Sequence, residues 1–180
     1  MSAASPPSGP FAAARCPPGR HAAALGIRYR PISDADMAFL EALYRSTREG
    51  EMAATPWSEA EKQAFIAMQF DAQHRHYQAN YPDADWLVIL KGETLIGRLY
   101  LERWRCEHRI IDIALMPDAR GGGVGTAILK DVMEEASAAG KVVGIHVEKT
   151  NPAMTLYLRL GFAVIEDKGV YDLLSWRAVE

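Results

Sequence analysis

Ile110-Ile111-Asp112-Ile113-Ala114-Leu115-Met116-Pro117-Asp118-Ala119-Arg120-Gly121-Gly122-Gly123-Val124-Gly125-Thr126 is the most informative stretch of the chain. Ile110 to Leu115 predicts a strand, and Pro117 ends it because proline has no N–H to give a ladder. Four glycines in the five positions from Gly121 to Gly125 let the backbone take positive φ and expose successive N–H groups. A helical pattern follows at once, with Val124, Ile128, Val132 and Ala136 on the inner stripe and Lys130, Asp131, Glu134 and Glu135 outside. The loop donors and the positive end of that helix make a socket for phosphate or another anion. Arg120 adds a permanent charge at its rim.

The segments on either side predict a mixed α/β domain. Ile27 to Pro31 reads as a first strand, and Ser33-Asp34-Ala35-Asp36 has capping-box spacing. Met37, Leu40, Leu43 and Tyr44 share one helical stripe running to about Arg48, followed by a loop from Glu49 to Trp57. A second cap, Ser58 to Glu61, opens a long helix with Phe65, Met68 and Ala72 facing inward, and Pro82 stops it. Trp86 to Leu90 is apolar throughout, as a strand covered on both faces would be. Lys91-Gly92-Glu93-Thr94 turns the chain into an antiparallel return, Leu95 to Glu102. Beyond the glycine turn and its helix, ended by Gly140, come a strand (Val142 to Val147) and a short helix (Ala153 to Leu160) closed by Gly161. Phe162 to Glu166 and Val170 to Trp176 form a last hairpin. The order is β-α-α-β-β-β-α-β-α-β-β, an α/β arrangement without internal repeats.

Composition narrows the partners. A chain of 180 residues suits one domain with a sizeable core. A net charge of −3 gives no reason to expect a nucleic-acid surface. Two cysteines, Cys16 and Cys106, make no disulfide framework, so a reducing, cytoplasmic compartment is expected. No apolar run is long enough to span a bilayer, so no membrane partner is expected. Residues 1–26 hold half of the chain's ten prolines and no acidic residue, and are expected to be a disordered tail ahead of a domain over 27–180. His74 and His76 lie two apart on the second long helix, which does not put both rings on one face, so no metal site is expected there or elsewhere.

The glycine turn has three possible uses. A mononucleotide P-loop needs Gly-Lys-Ser/Thr, and here Gly125 is followed by Thr126-Ala127. A dinucleotide fingerprint needs a third glycine and a later acidic residue in a unit led by the first strand, and the third glycine is absent. A purely structural turn is the third use.

Two motifs together go further. Arg120-Gly121-Gly122-Gly123-Val124-Gly125 resembles the Arg/Gln-x-x-Gly-x-Gly/Ala pyrophosphate loop of the GNAT superfamily of acyl-CoA-dependent N-acetyltransferases. Asn151-Pro152-Ala153-Met154-Thr155-Leu156-Tyr157-Leu158-Arg159-Leu160-Gly161-Phe162 resembles that family's second signature. The element order matches as well, over about Ile27 to Trp176. The resemblance implies a GNAT-like, mostly antiparallel central sheet flanked by helices. It implies acetyl-CoA as cosubstrate and, as partner, a small-molecule or peptide amine, on a monomer or homodimer.

The resemblance also implies roles. Ile113, Ala114 and Leu115 would pair their backbone with the pantetheine arm. The amides of Gly121, Gly122, Gly123, Val124, Gly125 and Thr126, with Arg120 beside them, would hold the pyrophosphate, and Asn151 would lie near the cofactor arm. Tyr157 matches the tyrosine that protonates the departing thiolate, a chemically sensible donor since a phenol's pKa is near ~10. An ammonium cannot attack a thioester, so a base is wanted. His146, Glu148 on the same strand face, and Asp112 on the preceding strand are the alternatives. Glu49 and Glu51, between the first two helices, are candidates to attract a cationic acceptor.

Overall fold

The structure, a computed structural model, describes residue 17 and residues 19–178. In chain order the elements are α1 (Arg20–Ala24), β1 (Ile27–Pro31), α2 (Met37–Ala53), α3 (Glu59–Asn80), β2 (Asp85–Lys91), β3 (Thr94–Arg103), β4 (Glu107–Leu115), α4 (Val124–Ala138), β5 (Val142–Glu148), α5 (Met154–Arg159), β6 (Ala163–Lys168) and β7 (Tyr171–Trp176). The strands form one seven-stranded sheet in the order β1-β2-β3-β4-β5-β7-β6. Every pairing is antiparallel except β4 with β5. This is the mixed, mostly antiparallel sheet with flanking helices that the sequence predicts.

Each face of the sheet has its own core. Leu87, Ile89, Leu99 and Ile110 join Ile128, Val132 and Ala136 of α4, with Tyr157 and Phe162 at the far end. Trp86, Val88 and Tyr100 join Leu40 and Tyr44 of α2 and Ile66 and Phe70 of α3 on the other face. Trp86 to Leu90 thus feeds both cores by alternation, which is why it reads as continuously apolar. Both predicted caps form: Ser33 N donates to Asp36 Oδ2 at 2.8 Å, and Ser58 N to Glu61 Oε2 at 2.8 Å.

Four local expectations are corrected. Within the segment expected to be a disordered tail, residues 20–24 form α1; residues 1–16 and 18 lie outside the described residues. Helix α1 docks on α4 because Asp131 receives the amide N–H groups of His21 and Ala22, each at 2.9 Å. Asp131, expected to face solvent, is therefore fully buried, as is Ala22. Helix α2 continues to Ala53, so Glu49 and Glu51 lie on its last turns rather than in a loop. The inner stripe of α3 is Ile66 and Phe70; Met68 is 57% exposed, since alanine, methionine and glutamine spread around this helix blur its apolar phase.

The sheet splits at one point. Between β3 and β4 the register steps from Tyr100↔Asp112 to Leu101↔Ile110, leaving Ile111 as the extra residue of a β-bulge. Pairing of β4 with β5 ends at that place, with Ile110↔Ile145. A bulge bends its strand, so β4 turns away and residues 111–115 have no strand on that edge among the described residues. Gly97 allows the close approach on the other edge, because a Cβ there would overlap the Ala114 carbonyl oxygen.

Helix α4 is tied to the sheet by ions. Arg103 grips Glu135 with Nε at 2.5 Å and Nη2 at 2.9 Å, and also bonds Asp85. Burial alone would raise the Glu135 carboxyl, but the Arg103 hydrogen bonds and the nearby His108, whose Nε2 is 3.4 Å from Oε1, outweigh it and hold the group down at about 2.

Two outcomes follow. Replacing Gly97 by alanine is expected to lower stability in urea unfolding by about 1–3 kcal/mol through overpacking against Ala114. A folded-state pKa below the unfolded value stabilises fully above the unfolded pKa. The Glu135 contribution is therefore present above the ordinary carboxyl value of 4.5 and lost as pH falls toward about 2. Urea midpoints measured across that window should fall less steeply in Glu135→Gln than in the parent chain.

Candidate active site

The glycine turn leads from β4 into α4 through a 3₁₀ turn, Pro117–Ala119. Gly121 and Gly123 have φ of +77° and +79°, conformations open to glycine and strained for other residues. Gly123 is the residue before the 15-residue helix α4. Its carbonyl accepts the Ala127 N–H at 2.9 Å, the first bond of the helix. The six amides from Gly121 to Thr126 donate to no protein acceptor among the described residues. A Cβ at Gly121, Gly122 or Gly123 would meet nothing within 4 Å, so the space beside these three glycines is open. Arg120 instead turns back along the chain: Nε donates to the Leu115 carbonyl oxygen at 2.9 Å, and Nη2 lies 3.5 Å from Ser46 Oγ. Its guanidinium thus ties the loop to β4 and α2.

The unpaired edge of β4 adjoins this loop. Ile113, Ala114 and Leu115 are half-buried there, with Ile113 and Leu115 packed on the core under α4. Ordinary secondary structure would leave few main-chain groups without a partner at such a place, so this edge is suited to an extended ligand.

Tyr157 stands on α5 behind the opening. Asn151 starts that helix, its Oδ1 accepting the Ala153 N–H at 2.9 Å and its carbonyl the Met154 N–H at 3.0 Å. Gly161 ends it with φ of +90°. Phe162 then turns inward, 3% exposed, and its ring meets Tyr157 edge-on at 5.5 Å. The second signature is therefore a device for seating Tyr157, which is 5% exposed. Burial, and then the Asp112 charge, push the Tyr157 phenol well above its ordinary value. It holds its proton throughout the neutral range.

Each of the three candidate bases is held by an arginine that the sequence reading missed. Asp112 accepts from Arg98 Nη2 at 2.7 Å and from the Tyr77 hydroxyl at 3.4 Å, with Arg98 almost wholly buried. His146, exposed on β5, has Nδ1 3.2 Å from Arg109 Nη1. Glu148 has Oε1 3.5 Å from Arg48 Nη1 and 3.2 Å from the donating Tyr171 hydroxyl. Arg48 also bonds Glu51 Oε1 at 2.8 Å, so Glu51 and Glu148 share one guanidinium across the mouth of the opening. Glu49, next to Arg48 on the same helix, is exposed and is not drawn into the cluster. Arg48 stands three residues before Glu51, a spacing that signals a pair only once α2 is known to run on to Ala53. Arg109 and Tyr171 meet their partners through sheet register, which a single sequence does not carry.

His21, Asp131 and Glu134 bring three potential ligand atoms within 4.8 Å of one another. Both Asp131 oxygens accept amide N–H groups, and Glu134 pairs with Arg20 at 2.5 Å and His21 at 2.7 Å. That cluster is the clamp that docks α1. No helix among the described residues is long and apolar enough to cross a membrane.

Known proteins are similar to the chain in sequence and in fold. The chain is 28% identical over 149 residues to a mycothiol acetyltransferase of Corynebacterium glutamicum, a match covering 77% of this chain and 51% of that protein. A mycothiol acetyltransferase of Brachybacterium faecium is also 28% identical over 149 residues, covering 75% of this chain and 45% of the relative. The chain thus spans about half the length of the curated relatives it matches. In fold it is similar to the PaiA N-acetyltransferase of Thermoplasma acidophilum, solved in complex with coenzyme A. The TM-score is 0.64 at 18% identity, covering 84% of this chain and 99% of the other. YncA of Salmonella typhimurium, solved with acetyl-CoA, gives a TM-score of 0.54 at 20% identity, covering 86% and 95%. The family model for the GNAT acetyltransferase family matches residues 38–162, from the start of α2 to the phenylalanine that seats Tyr157. With the split sheet, the open glycine turn and the buried tyrosine in place, the chain belongs to the GNAT acetyltransferase family.

Proposed function

We propose that the chain transfers an acetyl group from acetyl-CoA to a primary amine by direct attack. The observation that carries the reading is the row of six unengaged amides at the start of α4, beside the free edge of β4. Loop amides and a helix N-terminus suit a pyrophosphate, and a bare strand edge suits the amide-bearing pantetheine arm. The coenzyme A and acetyl-CoA complexes of the two fold neighbours support the same ligand.

In this reading the amides of Gly121 to Thr126 bind the diphosphate, and the backbone of Ile113 to Leu115 aligns the arm. The thioester then lies between Tyr157 and the Glu148 side of the opening. A neutral amine attacks the thioester carbon, forming the C–N bond. Main-chain N–H groups of β4 steady the oxyanion as it develops. Collapse breaks the C–S bond, and Tyr157 gives its proton to the departing sulfur. The ammonium proton leaves through water to Glu148, whose Oε2 is uncommitted among the described residues. Asp112 is the poorer acceptor because Arg98 and Tyr77 already engage its Oδ2, and Arg98 is almost wholly buried beside it. Products are the acetylated amine and coenzyme A, with Tyr157 reprotonated from solvent.

The mouth favours an acceptor that arrives as a cation, since Glu51 and Glu148 share Arg48 and leave a net negative charge; its first proton passes to solvent before the neutral amine attacks. The same reading makes the protein a cytoplasmic enzyme, acting as monomer or homodimer without a metal.

Calorimetry with acetyl-CoA is expected to give saturable one-site binding, and an amine panel is expected to show coenzyme A release. Binding without release on any amine would mark a cofactor-binding domain that lacks the chemistry. Tyr157→Phe should leave acetyl-CoA binding intact and lower turnover by about 10²- to 10⁴-fold. Unchanged turnover with chemistry rate-limiting would remove Tyr157 from the acid role. Since burial keeps the phenol protonated, the rate should show no loss from Tyr157 ionisation as pH rises from 7 to about 10.

A further inference from the structure

His146 and Arg109 meet where β4 and β5 part, on the face of the sheet shared with α2 and α3. No residue of β5, β6 or β7 belongs to the core under those helices. His146 follows Ile145, the last β5 residue paired with β4, and alternation puts it on the same face as Glu148. Arg109 Nη1 lies 3.2 Å from His146 Nδ1. A guanidinium has donors only and stays charged, so Nδ1 is the acceptor and its lone pair is occupied. A neutral imidazole that accepts at Nδ1 carries its proton on Nε2.

Arg109 is itself held in place. Its Nε donates to Glu107 Oε1 at 2.5 Å, and its guanidinium sits 4.8 Å over the Trp104 ring. Gly144, opposite Arg109 on β5, makes the space: a Cβ there would overlap the Glu107 carboxylate and come within 3.2 Å of Arg109 Nε. The charged groups facing His146 are Arg109 and Glu107 on β4 and Lys168 and Glu166 on β6. Burial, then Arg109 and Lys168, lower its pKa, and Glu107 and Glu166 only partly oppose them, leaving it below 6.5. The imidazole is therefore neutral at neutral pH, and its one lone pair is engaged. That is a poor base and a well-defined donor.

We infer that Arg109 is a positioning residue that fixes His146 as an Nε2–H donor, and that His146 binds an oxygen of the acceptor. The acceptor class is then an amine with a carbonyl or hydroxyl oxygen near its nitrogen, in preference to a bare alkylamine. The inference rests on the acetyl-transfer reading above. A site that donates to a substrate oxygen penalises analogues lacking it, because the donor is left unpaired.

Nitrogen-15 shifts of the His146 ring in the full chain test the first half. The expected result at pH 7.5 is an unprotonated Nδ1 and a protonated Nε2, with a midpoint below 6.5 that rises in Arg109→Met. A protonated Nδ1 or a charged ring at pH 7.5 in the parent chain would overturn the assignment, whatever the variant's stability. Competing acetylation of glycinamide and propylamine tests the second half. The ratio of their kcat/KM values should fall about tenfold in His146→Ala and recover in His146→Gln, whose side-chain NH₂ supplies a donor, with the KM for acetyl-CoA unchanged. An unchanged ratio in His146→Ala would overturn the donor role. Failure of the acetyl-transfer reading shows separately, as absent acetyl-CoA binding in calorimetry, while the nitrogen shifts still decide the tautomer.

Discussion

The parting of β4 from β5 is the constraint on which the site depends. It originates in one extra residue, Ile111, that bends β4 just where its pairing with β5 stops. An unpaired edge inside a sheet is costly unless something else binds it, and proteins ordinarily cover or close such edges. Here the core under α4 spans both halves of the sheet, with Ile110 of β4 and Val143 and Ile145 of β5 in it, and so holds them on either side of the gap. Gly97 lets β3 press against β4 from behind, and Tyr157 with Phe162 fills the space under the far lip. The glycine turn continues the same logic around the corner, adding a row of open amides to an open strand edge. A ligand that offers both a diphosphate and an extended amide-bearing arm meets both needs at once.

The charges around the gap are arranged by a common rule. Each of the three candidate bases is held by an arginine from another element: Asp112 by Arg98, His146 by Arg109, Glu148 by Arg48. Each pairing fixes the geometry of the group it holds. Tyr157 has the opposite environment, since it is buried and Asp112 is the one charge that acts on it. Tyr157 is pushed up while His146 is pushed down, so these two groups are set apart by their surroundings. The arginines explain why residue type alone left three bases open. The proposed mechanism chooses among them by which lone pairs remain, and that depends on neighbours across strands.

Much of the fold was legible because its signals are local. Capping boxes at Ser33 and Ser58, the proline after β4 and the glycines around α5 act within a few residues, and the elements form where those signals stand. The order of elements and the two motifs were enough to identify the family. What the sequence hid was non-local. Helix α1 forms because a buried aspartate on α4 receives its first amides, a contact more than a hundred residues away in sequence. The end of α2 was misplaced because Glu49, Gly50 and Glu51 look like a loop until Arg48 pairs with Glu51. The bulge at Ile111 leaves no mark in a run of isoleucines, though it opens the site.

The proposal reduces to the loop amides gripping a diphosphate. Amide shifts recorded residue by residue while coenzyme A is added to the full chain would show this. The account predicts saturable shifts concentrated at Gly121 to Thr126 and along Ile113 to Leu115, with the β1–β2 edge of the sheet unmoved. Saturable binding that leaves the glycine-turn amides where they were would contradict it.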